Sequence, residues 1–289
     1  MKKSIVFSIA LIGFTAMASQ IVLVRELLIV FCGNELSLSF ILASWLVGGA
    51  IGSALLGARF ADKLKERASA FVACQIAISI LLPLSVMAVR SIRLILGINP
   101  GEIVPVFPIA FASLIILLPT CAILGFMFSL ASRVYRPEPR LGASRIGEVY
   151  ILEAIGAMAG GVITSFILIR YLSSTQIMGA LGLLMLASAV TLSKSYGEEK
   201  FKKIILPLAA IVFSIYIALW LFGGWKVLDR YFLKIEWRGS ELLASKNSIY
   251  GNIAVTRKGR QCSFFDNGLY LYTVPDRPTA EEAAHFALL

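Results

Sequence analysis

Blocks of about twenty consecutive apolar residues recur through the first 224 positions, and no other feature limits the possible folds so tightly. A helix of about that length crosses the ~30 Å hydrocarbon core of a bilayer with its backbone polar groups bonded internally. Seven blocks are legible: about Ser4 to Phe31, Leu36 to Ala58, Ala68 to Val89, Val104 to Ala131, Val149 to Ile169, Ile177 to Leu192 and Ile204 to Phe222. Turn-forming punctuation separates several of them: Gly33-Asn34, Asn99-Pro100-Gly101, Arg136-Pro137-Glu138-Pro139 and the charged run from Gly197 to Lys203. The expected architecture is an all-α polytopic membrane bundle of about seven helices over residues 1–224. A membrane-proximal linker over 225–248 and a short β-hairpin or meander tail over 249–289 follow it.

Charge supports the same reading. Only 15% of residues are charged, against about a quarter in soluble domains, and the net charge is +10. A basic excess of this size can signal nucleic acid, but here the bases sit in short loops between apolar blocks. Lys2 and Lys3, Arg59 to Arg67, Arg133 to Arg145 and Lys194 to Lys203 place fourteen lysines and arginines on one side; Arg90, Arg93 and Arg170 are the three on the other. The positive-inside rule then puts the N-terminus and the rich loops in the cytoplasm. The expectation is a multi-pass protein of the cell (inner) membrane whose partner is the lipid bilayer and not nucleic acid. Lys2-Lys3, the apolar run and Ala16-Met17-Ala18 have the form of a cleavable signal peptide. The apolar character nevertheless continues past Ala18 to Val24 and resumes to Phe31, so a retained first helix is expected. Seven crossings leave the tail on the side opposite the rich loops.

Little in the sequence points to metal or nucleophile chemistry. Cys32, Cys74, Cys121 and Cys262 occur singly with no CxxC pair, so small packed thiols are expected. His285 is the sole histidine, which rules out a mid-chain histidine triad or a multi-histidine metal site. No catalytic or metal-ligating residue is expected in the spans.

Polar residues inside apolar spans are more informative. Gln20, Arg25 and Glu26 lie in the first span, with Asn34-Glu35 just beyond it, and Glu153 lies about one turn into the fifth. An ionisable group at bilayer depth costs at least ~2.5 kcal/mol, so it faces a partner or a cavity. Arg25 and Glu26 project about 100° apart and cannot pair with each other on one helix face, so at least one needs a partner on another helix. The alternative places both near the interface, with Arg25 snorkelling. Gly156/Gly160 and Gly48/Gly52 form small-xxx-small pairs that let helices approach closely. Pro83, Pro119 and Pro207 suggest kinks. The loop from Gly57 to Arg67 resembles the cytoplasmic loop after helix two of major facilitator transporters, without its second glycine.

After Gly224 the composition shifts. Trp225, Lys226 and Arg230 suit a membrane interface. Strands are expected over Ile249–Thr256, Gln261–Phe265 and Leu269–Val274, with a turn at Asp266-Asn267-Gly268. Thr279 is a candidate N-cap for a terminal helix. Three short strands and half a helix have almost no core of their own.

Gln20 with Arg25-Glu26-Leu27-Leu28, Gly33-Asn34-Glu35-Leu36, Trp45-Leu46 and Glu153-Ala154-Ile155-Gly156-Ala157 resemble the membrane region of bacterial membrane-bound spermidine synthase-like proteins. The tail, with Ser248-Ile249-Tyr250-Gly251-Asn252-Ile253-Ala254-Val255, Phe265-Asp266-Asn267-Gly268, Asp276, Glu282 and His285, resembles the small N-terminal β-domain of aminopropyltransferases. The resemblance implies Tyr250, Asp266, Glu282 and His285 as substrate-binding positions, although turn, cap and packing roles account for them more simply. It also implies decarboxylated S-adenosylmethionine as co-substrate of the complete enzyme, though no cofactor is expected on this chain. Gly251 stands where the family has glutamine, and Ala280-Glu281 where it has tyrosine-histidine, which puts spermidine in doubt as product. No glycine-rich turn joins a soluble strand to a helix, so the catalytic domain is expected elsewhere, the chain being a fragment, one half of a split gene or the partner of a separate polypeptide. A homo-oligomer is a further possibility. Two other readings stay open: a transporter-like module for polyamines or another small solute, with Glu26, Glu35 and Glu153 as cation-facing acids, and a membrane scaffold that docks a partner through residues 225–289. The family's substrate is made in the cytoplasm, which conflicts with a tail on the far side.

Overall fold

The computed structural model describes residues 2–135, 142–196, 199–248 and 251–287. Arg136, Arg140, Gly197 and the expected strand start Ile249-Tyr250 lie outside them. Among the described residues, seven helices are long and apolar enough to cross a membrane: α1 Lys3–Val30, α2 Glu35–Phe60, α3 Arg67–Leu96, α4 Val106–Val134, α5 Ile146–Tyr171, α6 Ser174–Ser195 and α7 Lys203–Leu221. A shorter helix α8, Gly224–Glu236, follows, and then four strands, β1 Glu241–Asn247, β2 Asn252–Lys258, β3 Gln261–Asp266 and β4 Leu269–Val274, and helix α9, Arg277–Ala287.

α1 packs against α3, α5 and α6, and α2 against α4. Glycines make both seams tight. A Cβ on Gly156 would strike the backbone of Ala10, and one on Gly160 would meet Phe14, so α5 lies directly on the α1 main chain. In the α2–α4 seam, a Cβ on Gly52 would strike Ala122, and one on Gly48 would come within 2.7 Å of the Cys121 Cβ. Without a hydrophobic drive between helices in lipid, such backbone approach supplies the packing attraction. Both seams contain π-helical turns, Ile51–Leu56 in α2 and Thr164–Leu168 in α5, which locally re-aim the helix face.

The strands form one antiparallel meander in the order β1-β2-β3-β4. The sheet has one strand more than expected. β1 falls in the stretch expected to be linker because Glu241–Asn247 lacks a clear hydrophobic alternation and pairs with β2 only through tertiary placement. The linker also holds α8, whose Trp225 does not anchor at an interface. It is buried in the bundle, edge-on to Tyr216 with ring centroids 5.2 Å apart, while Lys226 and Arg230 stay exposed. In the last helix Asp276 rather than Thr279 supplies the cap: its Oδ1 accepts from the Thr279 amide at 3.4 Å, and α9 starts earlier than expected.

The sheet sits on the end of the bundle that carries the base-poor loops. Its small core of Ala254 and Phe265 is completed by Ile29 of α1 and by Trp237 just past α8. Two turns anchor it. The Asn267-Gly268 turn, with φ of 47° and 78°, presses so closely on α1 that a Cβ on Gly268 would strike the Ile29 carbonyl. Arg25 donates to the carbonyls of Ser248 at 2.6 Å and Gly251 at 3.3 Å.

Candidate functional site

Three helices bring ionisable side chains together where the bundle meets the sheet. Arg90, near the end of α3, donates through Nε and Nη2 to the two carboxylate oxygens of Glu26 on α1, at 2.6 and 3.0 Å. Its Nη1 donates to Asp229 of α8 at 2.8 Å, and the Glu236 carboxylate of the same helix lies 3.8 Å from its Nε. Asp229 and Glu236 are seven residues apart, about two turns, so both project from the inward face of α8 that also carries Trp225. Thr175, at the start of α6, donates to the other side of the site through Asp229 Oδ1 at 2.8 Å. One guanidinium thus serves three carboxylates, with Glu26, Arg90 and Glu236 each no more than 2% exposed.

One turn further along α3, Arg93 takes a different set of partners. It donates to the carbonyls of Ile29 and Val30, the unsatisfied C-terminal end of α1, at 2.7 and 3.1 Å, and lies 5.6 Å from the Trp237 ring centroid. Burial, reinforced by the nearby Glu26 carboxylate, pushes the Glu236 carboxyl up to about 7 in spite of Arg90 and Arg93.

A cavity of about 190 Å³ opens beside this cluster, between the ends of α1, α3 and α8 on one side and the β1–β2 turn on the other. Glu26, Asp229, Glu236 and Asn252 line it, with exposed Arg170 and Lys246 at the rim. Two buried acceptor atoms in its wall, Glu236 Oε1 and Asn252 Oδ1, have no hydrogen-bond partner. A second cavity of about 360 Å³ lies on the sheet, lined by Phe264, Asp266, Leu271 and Tyr272 among others. Among the described residues, no group of three histidine, cysteine or acidic side chains is placed to hold a metal.

The residues singled out in the sequence scatter around this site. Glu26 is at its centre, and Arg25 anchors the sheet beside it; each finds its partner on a distant segment. Gln20 is half-buried on α1 and does not line the cavity. Asn34 caps α2, its Oδ1 accepting from the Ser37 amide at 2.6 Å, and Glu35 is exposed in the next turn. Glu153 is half-buried on α5, with its own backbone carbonyl against Gly13. Asp266, Glu282 and His285 are exposed on the sheet and α9. Tyr250 lies outside the described residues. Arg90, Asp229, Glu236 and Thr175 were not singled out from sequence. The available signals were the i, i+3 arginines at an apolar span's end and the seven-residue spacing of two acids behind Trp225. Comparison with known protein families, with curated proteins and with solved structures returned no match to this chain.

Proposed function

We propose that this chain is the membrane-embedded portion of an aminopropyltransferase-like enzyme, in which the bundle holds the β-sheet as a fixed seat for a nucleotide-binding catalytic domain supplied elsewhere. The observation that supports it is the manner of docking. A four-stranded meander of the kind the sequence resemblance implies shares its core with Ile29 and Trp237 instead of hanging on a flexible tether. Its outer surface stays open, with Tyr270, Leu271 and Tyr272 each about half exposed. On this reading Asp266, Glu282 and His285 face the incoming domain, and decarboxylated S-adenosylmethionine binds on that domain and not on this chain. The test is reconstitution. The full chain, combined with a nucleotide-binding aminopropyltransferase domain, is expected to transfer an aminopropyl group from decarboxylated S-adenosylmethionine to a labelled diamine. A combination that neither associates nor transfers overturns the reading.

A second reading, a transporter-like module for a small cationic solute, draws support from two observations. Ser8, Thr15, Ser19 and Glu26 are all buried on α1 and fall within about 40° of arc, a polar stripe running the length of the helix. The stripe continues sideways, where Gln75 of α3 donates to Ser188 of α6 at 2.8 Å and Ser8 shares a hydrogen bond with Ser188 at 2.7 Å. The sheet also lies at the end opposite the base-rich loops, which the positive-inside rule assigns to the outside, away from a cytoplasmic aminopropyl donor. Labelling single cysteines at exposed Lys65 and Lys258 with an impermeant reagent separates the two readings. Labelling of Lys258→Cys from outside the cell favours transport, and labelling from the cytoplasmic side favours the enzyme.

A further inference from the structure

We propose that the cavity between the C-terminal end of α3 and the turn after α8 is a binding site for a phosphate group, held by Arg93 on its floor and Arg238 at its rim. The cavity measures about 280 Å³ and is lined by Arg93, Leu94 and Gly97 on one side and by Glu236, Arg238 and Gly239 on the other. Gly97 and Gly239, with φ of 68° and 94°, keep its mouth free of side chains. Arg93 is 2% exposed, and the Nε and Nη2 edge of its guanidinium is spent on the carbonyls of Val30 and Ile29. Nη1, on the other edge, is buried with no hydrogen-bond partner. A buried donor left unpaired costs about 1–3 kcal/mol, and more in a charged group, so native structures rarely keep one idle. Arg238 across the cavity is exposed, and among the described residues neither arginine takes part in an ion pair.

Two guanidiniums with free donors on facing walls call for a negatively charged acceptor. Phosphate oxygens match a guanidinium fork, and donors arriving from separate elements suit a tetrahedral anion better than a planar carboxylate. Glu236, in the same wall, would oppose an anion if it were charged. Burial, with the carboxylates of Glu26 and Asp229 behind it, pushes its carboxyl up to about 7 in spite of Arg90 and Arg93. Its Oε2 is the oxygen nearer Arg90, so a proton on the partnerless Oε1 makes a further donor. The ends of α3 and α8 meet here too, where helix dipoles are negative. Their carbonyls at Arg93, Leu94 and Ile235 are taken by the amides of Ile98, Gly97 and Arg238. One water needs only about 10–15 Å³ of such space, so the cavity has room for a phosphate group with a substituent. It opens at the end of a span beside Leu94 and Ile95, 42% and 77% exposed, within reach of a lipid headgroup as well as of free phosphate. The site lies outside the enzyme reading and does not depend on it.

The test uses the full chain in maltoside micelles and phosphate-free buffer, titrated calorimetrically with inorganic phosphate and with dihexanoylphosphatidylglycerol. Dihexanoylglycerol, which lacks the phosphate, is the control. Saturable binding of either phosphate at one site, and none of the control, is the expected result. Binding of the phospholipid alone makes a headgroup the source, and binding of inorganic phosphate alone makes it the free anion. Competition between the two shows one site open to both. Arg93 also closes the end of α1, so it is left intact. Arg238→Gln removes an exposed charge that holds none of the bundle together, and should weaken binding about tenfold or more. Glu236→Gln keeps a donor in the wall without the carboxylate, and should bind at least as tightly as the unaltered chain. No binding of either phosphate, equal binding of the control, binding unchanged in Arg238→Gln, or binding lost in a folded Glu236→Gln overturns the proposal.

Discussion

The two ends of the bundle carry the same chemical pair in opposite surroundings. At the base-rich end Arg133 grips both oxygens of Asp62 at 2.7 and 2.9 Å, with side-chain exposures of 24% and 63%. At the other end Arg90 grips Glu26 in the same bidentate way at 2.6 and 3.0 Å, with exposures of 3% and 2%. Geometry is shared, and solvent separates the roles. The outer pair exchanges water for a partner at little gain and is screened by salt. The buried pair has given up its hydration, so it adds little as a pair but makes each member indispensable to the others. One end is decorated with ions, and the other is organised around them.

Breaking the buried end should have the largest effect. Arg90→Met strands three carboxylates away from water and is expected to cost about 3–5 kcal/mol, seen as a lower melting temperature in detergent or as loss of folded protein. Melting at the unaltered temperature would mean that the cluster does not hold α1, α3 and α8 together. Gly268→Ala comes next. It adds a Cβ where φ is 78° and the Ile29 carbonyl stands in the way, for about 1–3 kcal/mol. Its effect should be confined to the sheet, so limited proteolysis ought to cleave the tail while the bundle resists.

A third prediction concerns pH. The Glu236 carboxyl, ordinarily near 4.5, is pushed up to about 7 among Glu26 of α1, Arg90 and Arg93 of α3 and Asp229 of α8. The folded chain therefore binds the proton more tightly than the unfolded one, and this residue's contribution to stability falls as pH rises from about 4.5 to about 7. Glu236→Gln should flatten that slope; a melting profile whose pH dependence is unchanged would contradict it. The smallest effect belongs to the exposed end. Hydrogen bonding from Arg133 holds the Asp62 carboxyl below its ordinary value, yet Asp62→Asn should cost less than about 1 kcal/mol and nothing measurable in high salt. A large effect there would erase the contrast between the ends.

The bundle was legible because lipid imposes a length and a polarity on each span, and the seven blocks carry both. The glycine seams were legible as well, since Gly156 and Gly160 recur at the spacing of one helix face. Glu26 stood out because an acid in an apolar span demands a partner, but no local rule could choose Arg90, 64 residues away. Arg90 and Arg93 read as sparse loop charges because their burial depends on α8 and the sheet folding over them. Strand β1 was hidden for the same reason: its pairing with β2 is made by placement, while Glu241–Asn247 by itself shows no clean alternation.

Arg25 grips carbonyls 223 and 226 residues further along the chain, and Arg93 closes the end of the first helix from the third. A ribosome makes these groups in a fixed order. The first helix therefore precedes the partners of both its charges: Glu26 is met once Arg90 of α3 is in place, while Arg25 waits for the Ser248 and Gly251 carbonyls, which are made after the seven described spans. Docking of the sheet thus closes a contact that the bundle alone leaves open.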